Sequence, residues 1–163
     1  MPAKKTTTTR EPASRVLEIT RIFDAPRARV FAAWTRPEHI RQWLAPKDFT
    51  ILSAMGDLRE GGAWSECMVH PSGERFPVSG VYRKIVPDEL LEFTHAWIED
   101  DGTRGHETVI TVRLTDYGKK TKMTFRQAVF ATKESRDRHA GGWGQCFDKL
   151  APYLKRTPAM RRK

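Results

Sequence analysis

Glu66 and His95 are the acid/base pair that this sequence of 163 residues nominates. Both fall in runs that alternate apolar with polar side chains at a period of two. Trp64, Glu66 and Met68 share one phase, and Leu91, Phe93, His95 and Trp97 share another against Glu92 and Thr94. A general acid or base must lie within hydrogen-bond reach of the proton it moves. The neighbours of this pair are aromatic or apolar, so both residues read as polar points on the wall of an apolar site, setting the polarity of a ligand. His95 reads as a core or cavity-wall histidine, and no catalytic residue is assigned. His39, His70, His106 and His139 are scattered without ligand spacing, which argues against a metal. Cys67 and Cys146 form no CxxC; Cys67 is out of phase with Glu66, and Cys146 lies off the apolar stripe of its helix. Gly141-Gly142-Trp143-Gly144 follows no strand, so it is not a phosphate loop. No cofactor is expected.

The elements that position these residues follow from periodicity. Arg15 to Asp24 is a β-rich run and the expected first strand. Asp24-Ala25-Pro26 opens a helix, with Asp24 or Ala25 as cap and Val30, Phe31 and Trp34 as its apolar face. Arg36-Pro37 ends it, and Glu38 to Leu44 makes a second short helix carrying Ile40, Trp43 and Leu44. Six strands follow near 50–56, 63–70, 76–86, 89–97, 106–116 and 120–130, separated by Gly, Asp and Pro turns. Thr108, Ile110, Val112 and Leu114 oppose Glu107, Thr111 and Arg113, and Met123, Phe125 and Gln127 oppose Lys122, Thr124 and Arg126. This is the pattern of an antiparallel sheet with one covered face.

The cover must come from the last third of the chain. Trp143, Phe147, Leu150 and Leu154 recur at i, i+4, i+7 and i+11, with Thr132 as N-cap and Glu134 in the first turn. Three glycines within 141–144 cost a helix about 1 kcal/mol each, so its backbone is expected close to a sheet or a ligand there. Pro152 should kink or end the helix.

The net charge of +9 sits mostly at the ends: residues 1–13 carry +2 and residues 155–163 carry +5, leaving +2 for residues 14–154. Such tails are ordinarily solvated ends, which argues against nucleic acid as the partner. Residues 1–14 read as a disordered leader, 15–154 as one domain and 155–163 as a basic tail. No apolar run approaches the length of a membrane span, and neither a secretory signal nor a disulfide framework is indicated, so a cytoplasmic protein is expected.

Four stretches carry a resemblance: Phe23-Asp24-Ala25-Pro26-Arg27 with Val30-Phe31; Trp34-Thr35-Arg36-Pro37-Glu38-His39-Ile40 with Trp43; Gly80-Val81-Tyr82 with Ile85-Val86-Pro87 and Leu90-Leu91-Glu92-Phe93-Thr94; and Gly142-Trp143 with Phe147-Asp148-Lys149-Leu150 and Tyr153-Leu154. Together they resemble the SRPBCC (START and birch-pollen-allergen) superfamily, in the branch named for the activator of the heat-shock-protein-90 ATPase. The resemblance implies an α+β helix-grip fold: a curved seven-stranded antiparallel sheet around a long C-terminal helix, with two short helices between strands 1 and 2. In that strand order Glu66 and His95 stand two strand spacings apart, about 10 Å, too far for a direct hydrogen bond. The expected cavity between sheet and helix is lined by Trp43, Trp64, Glu66, Met68, Tyr82, Phe93, His95, Trp97, Ile110, Met123, Phe125, Gln127, Trp143 and Phe147. It suits a lipid, sterol or polyketide-like molecule. The alternatives are a cyclase or hydrolase using Glu66, His95 or Tyr82 in the same cavity, and a co-chaperone that stimulates a chaperone ATPase. A monomer or a homodimer fits this fold.

Overall fold

A computed structural model describes residues 12–156. Of the leader expected at residues 1–14 and the tail expected at 155–163, residues 1–11 and 157–163 lie outside the described residues, and Lys155 and Arg156 belong to the last helical turn. Where the leader was expected to continue, Ala13–Arg15 form one turn of 3-10 helix. Arg15 ties this turn down by donating to the carbonyls of Phe130 and Ala131, while the Phe130 N–H donates back to the Arg15 carbonyl.

The strands are β1 (Leu17–Phe23), β2 (Thr50–Gly56), β3 (Ala63–Val69), β4 (Arg75–Val86), β5 (Leu90–Trp97), β6 (Thr108–Tyr117) and β7 (Lys120–Ala128). The helices are α1 (Arg27–Thr35), α2 (Pro37–Trp43) and α3 (Lys133–Arg156). One antiparallel sheet runs in the order β1-β7-β6-β5-β4-β3-β2, so the two elements flanking α1 and α2 form its opposite edges. Bulges at Leu52 and Arg83 interrupt the β2–β3 and β4–β5 registers, and bulges of this kind bend and twist a strand. The α+β helix-grip architecture is the one expected.

Alternation sorts the sheet as anticipated on β6 and β7, where Ile110, Val112, Leu114, Met123, Phe125 and Gln127 are buried. In β1, Leu17 and Phe23 point inward and Ile22 is exposed. On β5 the second face is covered as well: Thr94 and Ala96 are buried. The Arg104 guanidinium lies over this region, donating to the Ser79 carbonyl and hydroxyl, and the Thr94 hydroxyl accepts from the Val81 N–H.

Gly80 is required by close approach. A Cβ there would stand 1.8 Å from the Thr94 carbonyl oxygen and 2.6 Å from the Trp64 indole nitrogen. Trp64, paired with Gly80 in the register, extends its indole across to donate to the Thr94 carbonyl at 3.1 Å.

Two helix boundaries differ from expectation. Pro26, not Asp24 or Ala25, occupies the N-cap of α1 and makes no side-chain cap, its fixed φ suiting entry into the helix. Pro152 neither ends nor replaces the last turn of α3, which continues to Arg156. Burial of Tyr153 and Leu154, and an Arg29 guanidinium donating to the Leu154 carbonyl, hold the turn that proline weakens. Thr132 caps α3 as expected, its hydroxyl accepting from the Ser135 N–H at 3.0 Å.

Candidate functional site

The space between sheet and α3 is divided into two unequal parts. On the β1-β7-β6 side it is filled by aromatics centred on Trp34. That ring lies 4.9 Å from Trp43, 5.7 Å from Trp143 and about 6 Å from Phe125 and Phe147 by centroid. On the β3-β4-β5 side, under the N-terminal half of α3, a cavity of about 480 Å³ remains. Its size falls within the range of small-molecule pockets.

Of the residues expected to line a cavity, Glu66, Met68, His95, Trp97 and Trp143 surround this one. Trp64, Tyr82 and Phe93, with Glu66, His95 and Trp143, border a second void of about 30 Å³. Trp43, Ile110, Met123, Phe125, Gln127 and Phe147 line neither void and are buried in the core. Strand phase reports which face a side chain takes; it does not report where along α3 the packing opens, and these six lie where it is closed.

Other lining residues were not anticipated. Val78 and Thr108 share the inward phase of strands already recognised, so alternation was a usable signal for them. Ser135, Arg138, His139, Gly142 and Cys146 form a column at helical spacing beside the Trp143 stripe. Cys146 was expected off the apolar face; it is buried and faces the cavity, because the covered stripe is one column wider than Trp143–Leu154. His139, read as scattered, meets His95 at the cavity wall, ring centroids 6.1 Å apart, and His106 lines the same cavity, because the turn after β5 and the start of α3 close over the same end. Of the two explanations for the glycines, proximity to the sheet fails at Gly141 and Gly142, while a Cβ at Gly144 would meet only the end of the β1 side chain of Arg21, at 3.9 Å. A Cβ at Gly141 would meet nothing within 4 Å, and one at Gly142 only the Pro46 side chain at 3.7 Å. Gly142 instead borders the cavity.

The polar groups inside are uncharged near neutrality. Burial raises the Glu66 carboxyl to about 8 and lowers His95 to about 3, with nearby His139 adding to the effect. Burial also pushes Tyr82 up to about 12, helped by Glu66. It does the same to the Cys146 thiol, partly opposed by Lys149. His139 is lowered by burial; its Nε2 accepts from the Trp97 indole at 3.0 Å and its Nδ1–H donates to the Ser135 carbonyl at 2.8 Å. Exposed Glu99, His106 and Arg138 mark the mouth. Among the described residues, no cluster of His, Cys, Asp and Glu has the arrangement of a metal site.

The family model described as activator of Hsp90 ATPase homolog 1-like protein matches residues 24–155. The chain belongs to that family. The family lies within the SRPBCC superfamily, whose members commonly bind hydrophobic ligands. Among solved structures of similar fold is the AHSA1 protein of Silicibacter pomeroyi, at 27% identity and a TM-score of 0.79, covering 86% of this chain and 97% of that one. A protein of Nitrosomonas europaea is similar at 25% identity and 0.77, covering 91% and 99%. One from Rhizobium leguminosarum is similar at 28% and 0.74, covering 86% and 94%. No functionally curated protein matches the chain significantly.

Proposed function

We propose that this AHSA1-like protein is a cytoplasmic binding protein for an apolar small molecule. The ligand, a lipid, sterol or polyketide-like compound, sits between β3-β4-β5 and the N-terminal half of α3. The observation that carries this reading is the cavity itself: about 480 Å³, apolar and aromatic over most of its wall, with a few polar groups held neutral. Such a wall favours transfer of apolar surface out of water and asks little desolvation of a charge in return.

The test is a thermal-shift screen with fatty acids, sterols, flavonoids and polyketide-like aromatics, run on the wild type and on Gly142→Leu. The substitution places a side chain into the cavity from a helix position with free space. One chemical class should raise the wild-type Tm, and Gly142→Leu should fold and lose that rise. A screen flat in every class rejects the reading and turns the search to a protein partner.

A further inference from the structure

The polar side chains behind the cavity form a chain whose hydrogen positions are determined by its first member. The Trp143 indole N–H is a donor only, and it points at Gln127 Oε1 at 2.9 Å. The Gln127 amide orientation follows, so its NH₂ faces Thr108 Oγ1 at 2.9 Å and His95 Nδ1 at 3.5 Å. The Thr108 hydroxyl has its own proton directed at the His95 carbonyl, at 3.4 Å. An NH₂ group facing His95 Nδ1 requires that nitrogen to be the acceptor, since two donors would otherwise oppose each other. This contact is long, and it favours the imidazole proton on Nε2 over the alternative in which Nδ1–H faces the nearby carbonyl of His95 itself.

His95 borders both voids, and among the described residues its Nε2–H has no protein acceptor. It is one of several donors left over on this wall. The Trp34 indole N–H is buried without a partner beside the small void, which has room for one oxygen-sized group. Glu66 and Tyr82 border the same void, and neither has a side-chain hydrogen bond among the described residues. His139, by contrast, has both ring nitrogens engaged and offers nothing. Buried donors without acceptors are uncommon and costly, and no cation stands inside: Arg138 lies at the exposed mouth.

We propose that the inner wall is a donor site for the acceptor oxygen of an uncharged ligand, a ketone or ester carbonyl on an apolar body, with His95 Nε2–H as the recognising donor. This rests on the reading of the cavity as a site for an apolar molecule, and narrows it. A site built from unpaired donors discriminates against an analogue lacking the acceptor far more strongly than apolar contact discriminates by size.

Three probes of similar shape separate the cases: benzophenone, diphenylmethane and diphenylacetate, titrated into the full chain by NMR. Benzophenone should bind at least tenfold tighter than the other two. His95→Phe should reduce that preference below threefold while leaving diphenylmethane affinity unchanged. Long-range proton–nitrogen spectra of the wild type supply a readout that needs no variant, and should show His95 as the Nε2–H tautomer. An Nδ1–H tautomer overturns the proposal, as does a carboxylate probe that binds tighter than the ketone. Diphenylmethane binding as tightly as benzophenone overturns it too, while leaving the apolar cavity intact. If none of the three binds, this proposal fails, while the apolar-cavity reading is decided separately by the thermal-shift screen.

Discussion

Glu66 and His95 sit in one cavity but answer pH in opposite directions. Unfolded, Glu66 releases its proton near 4.5; folded, it holds it to about 8. The folded chain binds more protons between those values, so this residue's contribution to stability falls as pH rises through that range. His95 binds a proton near 6.5 when unfolded and only near 3 when folded, so its contribution falls as pH drops from 6.5 toward 3. The slopes oppose each other between 4.5 and 6.5, leaving a plateau with an acid limb from His95, and from His139 in the same direction, and an alkaline limb from Glu66. Of the groups around Glu66, Tyr82 and Cys146 titrate only near 12, outside this window. One pH unit on a single-proton limb is about 1.4 kcal/mol. The wild type should therefore lose about 1 kcal/mol between pH 6.5 and 8, since folded Glu66 is half-ionised at the upper end and unfolded His95 still releases protons at the lower one, and Glu66→Gln should abolish that loss. Urea unfolding at the two pH values measures it; an equal loss in the variant would place the titrating group elsewhere.

Glycines separate what was legible at the level of elements from what was not. Strand phase and helix period were enough to identify the covered face, the cap at Thr132 and the stripe through Trp143, Phe147, Leu150 and Leu154. They were not enough to show that Ser135, His139 and Cys146 line a cavity, because the height of a helix above a sheet depends on side chains far away in sequence, here the cluster around Trp34. Nor could a glycine in the sequence announce its reason. Gly80 is enforced by the Thr94 carbonyl at 1.8 Å from its missing Cβ, whereas Gly141 has open space around it. The same substitution should consequently have opposite signs. Gly141→Ala should stabilise by about 1 kcal/mol through helix propensity. Gly80→Ala must displace β5 backbone or the Trp64 indole and should destabilise by about 3 kcal/mol or more. Denaturant midpoints of the two variants check both. A destabilised Gly141→Ala would mean that this face of α3 is covered in solution.

At the scale of the molecule, charge and cavity are separate systems. Residues 1–11 carry a net +2 and residues 157–163 a net +3, leaving +4 on the described residues. No described helix is long and apolar enough to cross a membrane. Inside the mouth marked by Glu99 and Arg138, the cavity wall is uncharged near neutrality, so binding there draws its free energy from buried apolar surface and depends little on ionic strength. An interaction of the basic ends with phosphates would behave otherwise, weakening steeply as salt displaces it. A ligand at 100 times its Kd stabilises the fold by about 2.7 kcal/mol, which at this size raises Tm by about 5–10 °C. That rise should survive removal of residues 1–11 and 157–163, and should persist between 0.1 and 0.5 M NaCl, as measured by differential scanning fluorimetry. If truncation or salt removed it, the stabilising contact would lie with the charged ends and not between α3 and the sheet.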